Sequence, residues 1–229
     1  MTNHEARKMT TLSITNLAQL AHPEVCERCW WLRSQVKEVP WQIWPSIFRS
    51  IDETSKRATD QWFAKGCPPP WLRNLGVVKS ITPPDWRQFN MTRGELQVRG
   101  VADFIGLRED LSIVIVDFKT ASFTSKQDEL IPIYAAQLNA YAEIAEATKI
   151  GTVAALAIIY CEPQPNAVSC SEEEFSLPFR PLLKTVKRNS ERILQMIDRA
   201  AELLSMDKPP PGRTGCRDCA SLATLARFW

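Results

Sequence analysis

The sequence has little net charge, no long apolar segment and no glycine-rich loop. These absences argue in turn against nucleic-acid binding through overall charge, against a membrane-spanning helix and against a phosphate-binding loop. Its 229 residues carry a formal net charge of +2, so bulk charge does not indicate a nucleic-acid binder and any basic surface must be local. No run approaches the roughly 18 apolar residues of a membrane-spanning helix. The eight glycines form no phosphate-binding loop, and no internal repeat is visible.

The first ten residues also lack the apolar core of a secretory signal peptide. We therefore expect a cytoplasmic protein whose seven cysteines are reduced thiols or metal ligands. The composition, 45% hydrophobic and 24% charged, is that of an ordinary globular protein. The length favours one large structural unit.

Residues 113–119 combine an apolar strand with two charged side chains. The unbroken run Ile-Val-Ile-Val predicts a strand buried on both faces, because a half-exposed strand would alternate. Asp117 and Lys119 project to the same side, since side chains alternate along a strand. A buried carboxylate and ammonium must pair or hold a metal. This stretch alone therefore indicates either a salt-bridged strand end or a metal site.

Two neighbouring segments favour the metal site. Residues 95–105 alternate and are predicted to form a hairpin with residues 111–119, which brings Asp103 towards Asp117. Two carboxylates beside a lysine suit Mg²⁺, which binds one or two acids, waters and substrate phosphate. A helix predicted from Pro132 places Gln137 and Tyr141 on one face, because they are four residues apart.

These motifs, taken in order, resemble the PD-(D/E)xK nuclease superfamily, and more narrowly its RecB-type branch. The signature is an acid, then D-x-K, then Q-x-x-x-Y on the next helix, carried here by Asp103, Asp117, Lys119, Gln137 and Tyr141. The resemblance implies an α/β fold with a restriction-endonuclease-like core, in which helices flank a mixed central sheet. It also implies a Mg²⁺- or Mn²⁺-dependent deoxyribonuclease.

The resemblance assigns a role to each motif residue. Asp103, Asp117 and the Phe118 carbonyl would hold the metal, which activates water and polarises the phosphate. Lys119 would position that water or stabilise the transition state. The remaining two residues, Gln137 and Tyr141, would orient the lysine or touch the DNA backbone.

Four cysteines form two C-x-x-C pairs, Cys26 with Cys29 before the core and Cys216 with Cys219 after it. This arrangement resembles the iron–sulfur RecB-like nucleases, including CRISPR-associated exonucleases of the adaptation machinery. The resemblance implies that both pairs meet at one [4Fe–4S] cluster. That family has one early and three late cysteines, however, and two C-x-x-C pairs also suit tetrahedral Zn²⁺.

A histidine is expected on the helix before the first catalytic strand of the RecB-type branch. The chain has only His4 and His22, and neither lies on that predicted helix. Asp60 is the first substitute as a metal ligand and Asp52 the second. Each also fits a solvated position on a helix.

The expected organisation is a flexible tail (1–12), a helical lobe with the first cysteine pair (13–93), the nuclease core (94–180) and a C-terminal helix with the second pair (181–229). The cysteines would clasp the two terminal segments into one helical lobe. The expected substrate is DNA, single-stranded or with single-stranded ends, and the expected partners are a CRISPR integrase or other proteins of a nuclease complex. The alternative is a nuclease-fold protein that binds DNA or a partner protein with weak or lost catalysis.

Several tryptophans near the first cysteine pair alternate with cations. They could stack on the bases of a single strand or pack the cysteine lobe against the core. The residues concerned are Trp30, Trp31, Trp41 and Trp44, with Arg28, Arg33 and Lys37.

Overall fold

The computed structural model describes residues 9–36, 46–121 and 130–228. The strands are β1 (Thr10–Ser13), β2 (Val77–Ile81), β3 (Asn90–Arg93), β4 (Leu96–Arg99), β5 (Phe104–Arg108), β6 (Ile113–Lys119), β7 (Val153–Pro163), β8 (Ser169–Cys170), β9 (Phe175–Ser176) and β10 (Phe179–Val186). The α-helices are α1 (Ile14–Ala18), α2 (Glu27–Gln35), α3 (Ser46–Ala64), α4 (Ile131–Ala147), α5 (Ser190–Leu204) and α6 (Arg217–Leu225).

A mixed five-stranded sheet, in the order β10-β7-β6-β5-β2, forms the centre of the protein. The pair β6 and β7 is parallel, whereas the other three pairs are antiparallel. The helix α4 makes the crossover between β6 and β7, as a parallel connection requires. The sheet and its flanking helices confirm the predicted α/β fold class.

Strand β6 is buried on both faces, as its apolar run predicts. Ile113 and Ile115 belong to the core that includes α4 and α5. Val114, Val116 and Phe118 belong to a second core, on the opposite face, against which α3 packs. Asp117 and Lys119 continue the first set, so their side chains face α4 at the end of the strand.

A second, three-stranded sheet has the order β1-β4-β3. Its edge strand β1 pairs in parallel with β4, so residues 10–12, predicted to end a flexible tail, are instead part of a sheet. The strand leads directly into α1, where Ser13 caps the helix by accepting a hydrogen bond from the backbone N–H of Asn16.

Two further boundaries differ from the expected organisation. Strand β2 lies within the segment predicted as a helical lobe, yet it pairs with β5 in the central sheet. Residues 181–186 were expected to begin the C-terminal helix, but they continue β10 along β7, and α5 begins only at Ser190. The apolar residues from Pro181 onwards are also spaced as in a helix. Pairing with the long strand β7 supplies backbone hydrogen bonds that favour the strand instead.

None of the helices in the described parts of the chain combines the length and apolar character needed to cross a membrane.

Candidate active site and cysteine cluster

The candidate active site lies where β6 extends beyond its neighbour β5. Strand β5 begins at Phe104, opposite Val116, and Asp103 immediately precedes it. The backbone N–H of Phe118 donates to Oδ2 of Asp103 over 3.0 Å. The N–H and C=O of one strand residue point to the same side, so the Phe118 carbonyl also faces Asp103.

Asp117 is the most deeply buried acid of the site, with 1% of its surface exposed. Its Oδ1 accepts a hydrogen bond from Nε2 of Gln137 at 3.1 Å. Its Oδ2 lies 2.6 Å from Nζ of Lys119, but no donor among the described residues reaches it with hydrogen-bonding geometry. Burial raises the pKa of Asp117 to about 7, although the charge of Lys119 opposes the shift.

This pKa predicts an unusual pH dependence of stability. Between about pH 4 and pH 7 the folded protein keeps a proton on Asp117 that the unfolded chain has released, so the free energy of unfolding should fall as pH rises. The slope is at most about 1.4 kcal/mol per pH unit for one proton. Denaturant unfolding in a chelator at several pH values measures it. The Asp117→Asn variant should lack this contribution, and an identical slope in both proteins would contradict the assignment.

Helix α4 orients both charged residues of the D-x-K motif. Nε2 of Gln137 also lies 3.1 Å from the hydroxyl of Tyr141, and its Oε1 accepts from Nζ of Lys119 at 3.3 Å. Tyr141 is buried, which raises the pKa of its hydroxyl. Gln137 therefore links Asp117, Lys119 and Tyr141 in one network. The five motif residues expected from sequence converge here.

Tyr134 is a further member of this face that the sequence reasoning missed. Nζ of Lys119 lies 4.7 Å from the centroid of its ring, a distance typical of a cation–π contact. The spacing could have indicated it, because Tyr134 precedes Gln137 by three residues and Tyr141 by seven on the same helix. Lys119 is thus held from three sides, by the ring, the Gln137 amide and Asp117.

Lys56 on α3 is the second missed residue. Its ammonium lies 2.8 Å from Oδ1 of Asp103 and 2.7 Å from Oδ2 of Asp52. Burial lowers the pKa of Lys56, but the charges of Asp103 and Asp52 outweigh this effect and raise the pKa overall. The predicted order of substitute ligands is therefore reversed in space. Asp52, the second choice, is joined to Asp103 through Lys56, whereas Asp60, the first choice, is exposed.

The oxygen atoms at this point suit a hard divalent cation. Oδ2 of Asp117 is buried and pairs with Nζ of Lys119 at 2.6 Å, and a carboxylate oxygen has a second lone pair that a cation can use. Asp103 accepts from the Phe118 N–H at the same end of β6. Carboxylate and carbonyl oxygens are ligands for Mg²⁺, Mn²⁺ or Ca²⁺ rather than for soft metals. The donor set therefore fits the kind of metal expected from the sequence.

The four clasp cysteines, Cys26, Cys29, Cys216 and Cys219, also converge, with all their sulfur atoms within 4.8 Å of one another. Three of the contacts join sulfurs from opposite ends of the chain: Cys26 to Cys219 at 3.6 Å, Cys29 to Cys216 at 3.7 Å and Cys29 to Cys219 at 3.3 Å. These cysteines form a site that can bind a metal. The first pair is buried and the second is partly exposed.

Each C-x-x-C pair begins a helix, which explains how two short motifs present four thiols. Cys26 and Cys216 are the N-cap residues of α2 and α6, so Cys29 and Cys219 lie one turn into each helix. Burial raises the pKa of Cys26, but backbone N–H groups of Arg213 and Cys29 and the other thiols outweigh it and lower the pKa to about 6. Burial and the neighbouring thiols raise the pKa of Cys29, so the four thiols share protons and Cys26 is the first of this pair to become the thiolate that a metal binds.

The lobe around the cysteines is further joined by packing and ion pairs. Trp30 is buried and donates from Nε1 to the carbonyl of Asn16 at 2.8 Å, and Trp31 packs against the main core. The positions of both tryptophans therefore agree with packing of the cysteine lobe against the core rather than with base stacking. Arg199 of α5 pairs with Glu27 of α2. Of the other residues in that interpretation, Trp41, Trp44 and Lys37 lie outside the described residues.

A mixed sheet with an acid and a D-x-K motif at its central strands, faced by Q-x-x-x-Y on a helix, defines a class of metal-dependent nucleases. A family model of the PD-(D/E)XK nuclease superfamily matches residues 15–223. The chain therefore belongs to this superfamily.

Comparison with individual proteins adds one structural likeness. The solved structures that match include the crystal structure of SSO0001, with a TM-score of 0.43 and 15% sequence identity. That alignment covers 87% of this chain and 78% of the other. No curated protein matches the chain significantly.

Proposed function

We propose that the protein is a Mg²⁺- or Mn²⁺-dependent deoxyribonuclease that trims DNA from its ends. The observation that carries the proposal is the convergence of two acids and a lysine at the end of β6: Oδ2 of the buried Asp117 lies 2.6 Å from Nζ of Lys119, and Asp103 accepts from the Phe118 N–H. Two carboxylates withdrawn from solvent beside one another repel, and a divalent cation held by both acids would balance their charge. Membership in the nuclease superfamily agrees with this chemistry.

The chain's own residues then perform distinct parts of the hydrolysis. A bound divalent cation lowers the pKa of water and polarises the phosphate. Asp103, Asp117 and the Phe118 carbonyl would hold that cation. The Lys119 ammonium donates to the attacking water or to a phosphate oxygen as negative charge develops there. Gln137 holds both Asp117 and Lys119, and the Tyr134 ring restricts the lysine further.

The end-trimming activity and the CRISPR adaptation setting come from the RecB-type order of motifs. They are supported by the linkage of Gln137 and Tyr141 to the D-x-K residues, and by cysteines from the two ends of the chain meeting at one site. On this proposal the substrate is DNA that is single-stranded or has single-stranded ends. A CRISPR integrase or another component of a nuclease complex is the corresponding partner.

For the cysteine site we favour one tetrahedral ion, with Zn²⁺ first, over the [4Fe–4S] cluster implied by the sequence resemblance. A tetrahedral ion with sulfur at about 2.3 Å holds its ligands about 3.8 Å apart; three of the sulfur pairs lie at 3.3 to 3.7 Å, and all four sulfurs lie within 4.8 Å of one another. A [4Fe–4S] cluster places four irons among its thiolates, so the sulfurs have to lie farther apart. Metal analysis of anaerobically purified protein separates the two: a brown, iron-containing sample overturns the zinc assignment.

The nuclease assay compares three DNA substrates in Mn²⁺: linear single-stranded, linear duplex and covalently closed single-stranded circles. We expect shortening of linear DNA from its ends and survival of the circles. Lys119→Met should reduce the rate by about 10²- to 10³-fold, the usual effect of losing one charge-stabilising group. Lys79→Met, on the exposed side of β2, removes the same charge and should act like wild type.

Three results would contradict the proposal. Equal rates with wild type and Lys119→Met indicate a contaminating nuclease. Cutting of circles indicates an endonuclease. Binding of DNA without cleavage in any divalent metal favours the second candidate, a nuclease-fold binding protein. The observation in favour of that candidate is the ion pair between Lys56 and Asp103, which already occupies one oxygen of the candidate metal site.

A further inference from the structure

Lys56 places a fixed positive charge beside the carboxylates that are expected to bind a cation. Its ammonium lies 2.8 Å from Asp103 and 2.7 Å from Asp52, and its side chain is 34% exposed. The ion pair with Asp52 is local, because the two residues are one helical turn apart on α3. The pair with Asp103 connects that helix to the start of β5.

The local charges explain why a cation is needed at this position. Asp52, Asp103 and Asp117 carry up to three negative charges, and burial destabilises such a group unless it is balanced. Lys119 pairs with Asp117. Among the described residues, the positive charge that pairs with Asp103 is therefore that of Lys56. Oδ1 of Asp103 contacts Lys56 while Oδ2 accepts from the Phe118 N–H. Both oxygens of this acid are therefore engaged.

We propose that Lys56 competes with the divalent cation for Asp103: its ammonium binds Asp103 and Asp52 in the metal-free protein and is released from Asp103 when the cation binds. This inference rests on the proposed metal site and gives that site a threshold concentration of cation for binding. The cation must displace an existing ion pair, so the site loads only when the cation is abundant enough to do so. The release leaves Lys56 paired with Asp52 on α3.

The first test measures Mn²⁺ binding by calorimetry in wild type, Lys56→Met, Lys56→Arg and Arg57→Met. Methionine keeps the length of the chain and removes the charge, so Mn²⁺ should bind about tenfold more tightly, equivalent to about 1.4 kcal/mol. Arginine keeps the competing charge, so Lys56→Arg should bind no more tightly than wild type. Arg57 is an exposed neighbour on the same helix, and Arg57→Met should match wild type.

The second test needs no variant. Amine acetylation of the wild-type protein, read by mass spectrometry, should label Lys56 several-fold faster in Mn²⁺ than in chelator, because only the neutral amine is acetylated and an ammonium held by one carboxylate loses its proton more readily than one held by two. Lys79 is exposed on β2 and serves as the internal control, with equal labelling in both conditions.

The outcomes separate this inference from the proposed function. If wild type binds Mn²⁺ but Lys56→Met binds it equally or more weakly, the competition is overturned and the nuclease proposal stands. Unchanged Lys56 labelling in a protein that binds Mn²⁺ has the same meaning. If wild type binds no Mn²⁺ at all, both the metal site and the competition are overturned. Tighter binding by Lys56→Met together with faster Lys56 labelling supports both.

Discussion

Replacing Asp117 by asparagine is expected to abolish DNA cleavage while making the metal-free protein more stable. The substitution removes a carboxylate oxygen that the cation needs, so the cleavage rate should fall by at least about 10³-fold, several kcal/mol of transition-state stabilisation. It also removes a buried charge, and burial raises the pKa of Asp117 in spite of the neighbouring Lys119. Unfolding in denaturant and chelator at pH 8 should therefore show a gain of about 1–3 kcal/mol.

The matched control for this variant is Asp60→Asn. Asp60 is exposed on α3, so neutralising it should leave the cleavage rate and the stability close to wild type. A large loss of cleavage in Asp60→Asn would return that residue to the metal site, as the sequence first suggested. Unchanged cleavage in Asp117→Asn would remove the central carboxylate from the mechanism. A loss of both activity and stability would indicate a structural ion pair with Lys119.

The second large effect is expected at the cysteine clasp. Cys29 and Cys219 are 190 residues apart in sequence and 3.3 Å apart in space, so a metal between them closes almost the whole chain into a loop. On the chain-entropy account, a crosslink of that span contributes about 5 kcal/mol, a large part of the usual 5–15 kcal/mol of total stability. Cys219→Ser should lower the free energy of unfolding by about 3–5 kcal/mol.

The control for the clasp is Cys170→Ser, because Cys170 is exposed on β8 and lies outside the cluster. Wild type treated with a strong chelator should lose the same stability as Cys219→Ser, whereas the chelator should not destabilise Cys219→Ser further. Equal unfolding free energies for Cys219→Ser and Cys170→Ser would show that the cysteines hold no stabilising metal. The cysteines take no part in the proposed hydrolysis, so the folded fraction of Cys219→Ser should still cleave DNA.

Much of the candidate site could be predicted because its signals are local. The apolar run of β6 identified a buried strand, and the alternation of a strand placed Asp117 and Lys119 on one side. The spacing of Gln137 and Tyr141 placed both on one helix face. Their convergence needed only the short hairpin of β5 with β6 and the helix that follows. The short turn between β5 and β6 leaves few alternatives for how those two strands meet.

Other features could not be predicted, because they depend on contacts between distant segments. The amphipathic spacing after Pro181 is compatible with a helix, but β7 was available as a partner and β10 formed. Asp60 and Asp52 lie on the same helix, and only the way α3 packs on the sheet directs Asp52 and Lys56 towards Asp103. No local pattern distinguishes these alternatives.

The sequence by itself therefore determined the α/β nuclease core, the D-x-K residues with their supporting helix, and the cysteines that form the clasp. These follow from the periods of strands and helices and from the chemistry of the side chains. The tertiary structure alone decided that Lys56 pairs with Asp103, that the ring of Tyr134 faces Lys119 and that the four sulfurs lie within 4.8 Å of one another. The physical reason is that each of these depends on distances between elements, which are set by packing of the whole core.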